Sequence, residues 1–365
     1  MHLLFALHFT KLTRFKWSSC IYVGLMALCF VPQAKAQTWP PLKANNWYTQ
    51  NGWVAGCNFI PSNAVNQLEM WQRESFDTAT IDHELGLAEQ LVFNTVRVFL
   101  HHVAWQTDSV GFISRINTYL AIAHKHGIKT MFVFFDDCWN ATYHAGPQPT
   151  PKPGVHNSQW VRDPGNLLYK NKSELYPVLE SYVVSILSNF KNDPRILIWD
   201  LYNEPGNSGN GPRSLPLLKK VFEWARKVPL SQPVTAGVWI KLFPRLRNFQ
   251  LKQSDVITYH NYGNPQNHAS VIKQLKKYNR PLICTEYMAR PYNSTFFNIM
   301  PLLKKHNVGA INWGLVDGKT NTKYAWAAPM PSGAEPKVWF HEIFRKDYTP
   351  YNAQEVELIR SLTKP

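Results

Sequence analysis

The chain of 365 residues is poor in cysteine, with five. Cys20 and Cys29 fall in an N-terminal apolar stretch, which leaves Cys57, Cys138 and Cys284 for the folded part. Three thiols allow one disulfide at most, so a disulfide-stapled scaffold is excluded. Cys57 and Cys284 lie in apolar runs and read as inert buried thiols. There is no C-x-x-C and no H-E-x-x-H, hence no metal signature, and no metal or organic cofactor is expected. No G-x-G-x-x-G follows the first apolar run, which argues against a dinucleotide-binding fold. Lys and Arg never form a run long enough for a nucleic-acid patch, despite a formal charge of +15. The basic balance could suit an anionic glycan or a cell envelope, but solubility of an exported protein is the preferred reading. No internal repeat or linker divides the chain.

Residues 1–36 read as a signal peptide. Lys11, Arg14 and Lys16 form a positive region, Cys20 to Val31 an apolar one, and Ala34-Lys35-Ala36 a small-residue cleavage site. Leu28 is too bulky before Cys29 for a lipoprotein signal. Residues 37–365 are then expected to be one exported domain, secreted, periplasmic or extracellular. No later segment reaches membrane-spanning length, so stable membrane insertion is not expected. A monomer is expected.

What is present in quantity is aromatic. Phe, Trp and Tyr make up 14 % of the chain, with fourteen Trp, which hints at flat platforms for a ring-shaped ligand. Short apolar runs alternate with amphipathic stretches at helical spacing. The runs are 53–60, 94–100, 128–136, a fourth starting at Ile196, 233–239, 256–262, 281–287 and 309–316. Several are continuously apolar, as strands buried on both faces are. Eight strand–helix units fit a (β/α)8 barrel of the TIM type better than an open doubly wound sheet. Trp39 to Gln50 reads as a polar lead, and Asp137 to about Tyr169 as a long loop of the kind that is usually functional or disordered.

In such a barrel the C-terminal strand ends share one mouth. They would deliver Arg97, Asp136, Asp137, Asn203, Glu204, His260, Tyr262, Glu286 and Trp313. Trp139, Trp160 and Trp326 lie on loops at that mouth. Two glutamates, from the fourth and seventh strands, therefore converge. Cleavage of a glycosidic bond needs such a pair, one protonated to release the leaving group and one ionised. Arg97 can favour the ionised form of a neighbouring carboxylate, and Tyr262 can donate a hydrogen bond to it.

The stretch Trp199-Asp200-Leu201-Tyr202-Asn203-Glu204-Pro205 resembles the acid/base motif of glycoside hydrolase family 5 and its clan A relatives. Thr285-Glu286-Tyr287 resembles the nucleophile motif of that family, and Arg97, His260-x-Tyr262 and Trp313 match its pattern. The resemblance covers Trp53 to Val316. It implies a retaining hydrolase of β-linked glucan, mannan or xylan, with carbohydrate as its only partner. Glu204 would be the general acid/base and Glu286 the nucleophile. Asn203 would hold the 2-hydroxyl, Tyr262 and Arg97 would orient Glu286, His260 would contact substrate or support Glu204, and Trp313 would carry the sugar. One departure stands out. Phe135-Asp136-Asp137 replaces the His, often followed by Asn, usual at the third strand end, so Asp136 or Asp137 is expected to bond sugar hydroxyls instead. Transglycosylation and a non-catalytic glycan-binding barrel are the competing readings.

Overall fold

A computed structural model describes residues 37–169 and 172–364; the expected signal peptide lies outside the described residues. Its frame is eight parallel strands. They are β1 (Ala55–Asn58), β2 (Thr95–Phe99), β3 (Lys129–Asp136), β4 (Ile196–Asn203), β5 (Val234–Thr235), β6 (Ile257–His260), β7 (Leu282–Glu286) and β8 (Gly309–Trp313). The ladder runs β5-β4-β3-β2-β1-β8-β7-β6 without a break. The remaining seam is closed by one bridge, Val238 to Tyr259. There Val238 donates to the Thr258 carbonyl at 2.9 Å, and His260 donates to the Val238 carbonyl at 3.0 Å. The molecule is a (β/α)8 barrel, as the alternation of elements predicts.

Every strand residue is buried except Lys129, at the start of β3, and Trp313, half-buried at the end of β8. This explains the continuous apolar runs, because one strand face meets the barrel interior and the other meets helices. Those helices are α1 (Pro41–Asn51), α2 (Gln67–Trp71), α3 (Thr78–Gln90), α4 (His102–Thr107), α5 (Ser109–Lys125), α6 (Lys172–Phe190), α7 (Leu215–Ala225), α8 (Pro244–Gln253), α9 (Pro265–Leu275), α10 (Phe296–Lys305) and α11 (Ala353–Thr363). Asp77 caps α3 by accepting from the backbone N–H of Ala79 and Thr80, as its spacing suggests.

Two expectations are corrected. The lead from Trp39 to Gln50 is largely α1, which starts at a proline where a missing N–H does no harm. Trp39, Ala44 and Tyr48 pack with Met131, Ile198, Val256, Ile283 and Ile311 and close the N-terminal end of the barrel. The fifth strand shrinks to two residues. Beyond Thr235 the chain leaves β4, and a Cβ on Gly237 would come 3.2 Å from His260 Nε2, so only glycine leaves that ring unhindered. Ser214 heads α7 but makes no side-chain cap. Its hydroxyl donates instead to Asp137.

Candidate active site

The site is built on a buried cation. β2 carries Arg97 into the barrel, where its side chain is fully buried. Such a charge is tolerable only when every donor is met. Its Nε and Nη2 donate to Asp200 Oδ2 at 3.0 and 2.8 Å, and Nη2 also reaches Asn203 Oδ1 at 2.7 Å. Nη1 donates to Asn58 Oδ1 at 2.8 Å and Glu286 Oε1 at 2.9 Å. One guanidinium thus faces two carboxylates, and one negative charge is left over at the mouth. Asp200 and Asn58 escaped the sequence reading. The only signal for Asp200 is an acid in an otherwise apolar strand, which needs a buried partner.

Glu286 closes β7 with both oxygens in use, since Tyr262 donates to Oε2 at 2.9 Å. Glu204 follows β4 in a left-handed backbone conformation with φ +45°. For a residue with a Cβ that conformation costs on the order of 1–3 kcal/mol and clusters at functional sites. It turns the chain at the strand end. His260 Nδ1 lies 2.6 Å from Glu204 Oε1 and 3.4 Å from Glu286 Oε2, so the ring stands between the two carboxylates. The Asn207 amide and the Cys138 thiol, the latter at 3.3 Å, donate to Glu204 Oε2. A carboxylate oxygen of Glu204 and one of Glu286 lie within 4.8 Å of each other.

The two carboxyls differ in their company. Burial raises both above the ordinary 4.5. On Glu286, His260 and Arg97 oppose the rise, while the charge of Glu204 adds to it. On Glu204 the Cys138 and Asn207 hydrogen bonds oppose the rise, and Arg97, which bonds Glu286 directly, acts only as the last and more distant cause. A single proton shared by the pair therefore sits on Glu204 and leaves Glu286 ionised beside Arg97.

The third strand end behaves differently from expectation. Asp136 lines the cavity, but its carboxylate accepts from Asn203 Nδ2 at 2.9 Å, Trp160 Nε1 at 2.7 Å and Cys138 N at 2.9 Å. Burial pushes it up to about 7. Its task in the structure is to hold Asn203 and Trp160. Asp137 does not reach the cavity. It accepts from Tyr202 Oη at 2.8 Å and Gly206 N at 2.7 Å, and also from Ser214, and so ties the segment after Glu204 to β3. The alternation along a strand explains this, since adjacent residues point to opposite faces.

Above these groups lies a cavity of about 440 Å³, a ligand-sized volume. Trp313 and Trp160 line it side by side, ring centroids 5.6 Å apart, and Phe99 supports Trp313 from 5.8 Å. Trp139 and Trp326, singled out on loops, both line it. So do seven residues that sequence reasoning missed: Cys138, His156, Asn157, Asn207, Ser208, Trp239 and His341. Among the described residues no lysine or arginine lines the cavity.

Among the described residues, two clusters could offer three ligand atoms to a cation. Glu204, His260 and Glu286 form one, but the Arg97 guanidinium already supplies the positive charge there. His101, His102 and Asp163 form the other. His101 Nδ1 accepts from Val103 N, its Nε2 faces the Arg162 carbonyl, and His102 Nδ1 is bound to Asp163, so these atoms are occupied.

Comparison with known proteins agrees with the barrel fold. Residues 157–308 match the family model described as the TIM barrel domain of glycosyl hydrolases family 2. Solved structures show the same barrel along most of the chain. GH5_18 from Streptomyces cattleya, in complex with GlcNAc, is 14 % identical over 86 % of this chain and 82 % of its own, with a TM-score of 0.58. What this chain shares with it is the barrel fold. An exo-β-1,4-mannosidase from Opitutaceae bacterium strain TAV5 is 17 % identical, with a TM-score of 0.60 over 86 % of this chain and 60 % of its own. An endo-β-1,4-mannanase from Thermotoga petrophila is 15 % identical, with a TM-score of 0.51 over 84 % and 76 %. No curated protein matches the chain.

Proposed function

We propose that this protein is an exported retaining glycosidase acting on neutral β-linked oligosaccharide or polysaccharide. The observation that carries the reading is the carboxylate pair, with oxygens of Glu204 and Glu286 within 4.8 Å and only one of the two bound to a fixed cation. Retention requires closely spaced carboxyls, about 5–5.5 Å apart, whereas inversion needs roughly 6.5–9.5 Å to admit a water. Glu286 attacks the anomeric carbon while Glu204 protonates the departing oxygen. Arg97 and Tyr262 hold both Glu286 oxygens and set the line of attack. Esterification then removes the charge of Glu286, Glu204 becomes the base, and it deprotonates the water that releases the sugar.

The supporting residues fit these steps. Asn203 Oδ1 is fixed by Arg97 and one Nδ2 hydrogen by Asp136. The other Nδ2 hydrogen has only the weak sulfur contact at 3.4 Å, and the sugar 2-hydroxyl takes it. His260 supports Glu204 rather than substrate. Trp313 offers its face to the sugar ring. Among the described residues no lysine or arginine lines the cavity, while the carboxyls of Glu204 and Glu286 do, an environment that favours a neutral sugar over a uronic acid. The mannosidase and mannanase among the structural relatives make β-mannosides the first substrates to try. The N-terminal stretch at residues 1–36 supports export.

The test is chemical rescue. Glu286→Ala should lose turnover on an activated aryl glycoside, and azide should restore it by forming a glycosyl azide of inverted configuration. Restored hydrolysis without that azide product contradicts the nucleophile assignment.

A further inference from the structure

The mouth of the barrel is not open on all sides. The segment after β3 crosses above β1 and β2 and is latched to the segment after β8. Asn157 donates to the Thr320 carbonyl at 2.8 Å, Met330 to the Gly154 carbonyl at 2.9 Å, and Asn321 Nδ2 to the Lys152 carbonyl at 3.0 Å. At Gly154, with φ +63°, a Cβ would stand 1.7 Å from the Met330 carbonyl oxygen, so the two segments meet as closely as backbones can. Trp326 and His341 of the wall pack on Tyr262 at 4.9 and 5.6 Å, and Tyr262 donates to Glu286, the proposed nucleophile. The sugar that the nucleophile attacks is the glycone, so the latched wall stands on the glycone side.

That wall presents two imidazoles. His156 Nδ1 lies 2.8 Å from the Tyr324 carbonyl, and His341 Nδ1 lies 2.6 Å from the Met288 carbonyl. A carbonyl can only accept, so each Nδ1 carries the proton. The rings are 5.4 Å apart and buried, which holds both neutral; His156 is pushed down to about 4. Each Nε2 is therefore a hydrogen-bond acceptor on a ring that lines the cavity. Trp139 and Trp326 pack against His156 at 5.3 and 5.9 Å and fix it.

We propose that this wall makes the enzyme exo-acting, with His156 and His341 reading a free hydroxyl on the terminal sugar of the chain. A terminal hydroxyl has a hydrogen to give to Nε2. In an internal residue the same oxygen carries the next sugar, has no hydrogen, and would leave a buried acceptor unmet. A site built around a buried polar group rejects the analogue that cannot pair with it far more strongly than an apolar pocket rejects a methylene. The inference rests on the glycosidase reading above and names the part of the chain that it takes.

Two arms test it. In the first, borohydride-reduced β-1,4-linked tetrasaccharides of mannose, glucose and xylose are digested by the wild-type protein and the earliest products are sized. Free monosaccharide with the reduced trisaccharide is expected. Di- or trisaccharides split from the non-reducing side as first products would overturn exo action while leaving the glycosidase intact. In the second, binding to the Glu286→Gln variant is followed by tryptophan fluorescence, with and without an O4-methyl cap on the terminal sugar. The cap should weaken binding about 30-fold or more. Adding His156→Leu should shrink that ratio to about threefold, and His156→Gln, which keeps an acceptor, should restore most of it. An unchanged ratio in the Leu variant overturns the histidine assignment. Failure to cleave or bind any of the three sugars would count against the glycosidase reading, and against this one with it.

Discussion

The floor and the roof of the cavity are made in opposite ways. The floor is carried on strand ends and is charged, with Arg97, Asp200, Glu286 and Glu204 joined through short hydrogen bonds. The roof is carried on two latched loops and is uncharged, made of indoles and neutral imidazoles. Strand ends hold groups to within fractions of an ångström, which bond-making chemistry requires. Loops can be exchanged without disturbing the barrel, which suits the choice of substrate. On this account damage to the floor removes rate, and damage to the roof changes which bond is cut.

The sharpest break in that comparison comes from the floor. Glu286→Ala should lower kcat by about 10⁵-fold or more without loss of fold, measured on aryl glycosides. Glu204→Ala should lose about 10²–10⁴-fold on substrates with poor leaving groups and far less on activated ones, since only the former need a proton. Equal losses on both would contradict the acid role. The activity of the wild-type protein should follow a bell in pH. Its acid limb marks ionisation of Glu286 and its alkaline limb loss of the Glu204 proton. Burial raises both carboxyls, so both limbs should lie above the ordinary 4.5.

How much of this was legible follows the same division. The eight strands announce themselves because each is buried on both faces, and an apolar run in sequence is the direct trace of that burial. Glu204 and Glu286 stand out because a carboxylate at the end of such a run needs a reason to be there. Asp137 did not sort from Asp136, because which of two neighbours faces inward depends on a register that sequence does not print. His156 and His341 were invisible. They are 185 positions apart, and their shared environment exists only once the loops latch. The helix α1 was hidden by its polarity, as only Ala44 and Tyr48 face inward.

Smaller effects should come from the roof. Gly154→Ala forces a Cβ into the Met330 carbonyl and should part the latch. The kcat on an aryl monoglycoside should stay within about threefold, because the floor is untouched, while its KM rises as His156 is displaced and longer first products appear from oligosaccharides. A loss of kcat with unchanged product length would erase the division between floor and roof.

The smallest effect concerns stability alone. Glu342 packs beneath the turn after Trp313, where burial pushes it up to about 8. Folded, it keeps its proton where the unfolded chain, near 4.5, has lost it. Its contribution is therefore whole below about pH 4.5 and is lost as pH rises through about 8. Glu342→Gln should flatten that fall in a urea-midpoint series across the same window. A series as steep as wild type would place the proton elsewhere.

The central claim is that Glu286 forms a bond to the sugar while Glu204 handles the proton. An activated 2-deoxy-2-fluoro-β-glycoside slows the second step and should trap that bond. Proteolysis and mass spectrometry should then find one sugar on the peptide containing Thr285-Glu286-Tyr287, and Glu286→Gln should abolish the label. A label on Glu204 or Asp136 would contradict the account.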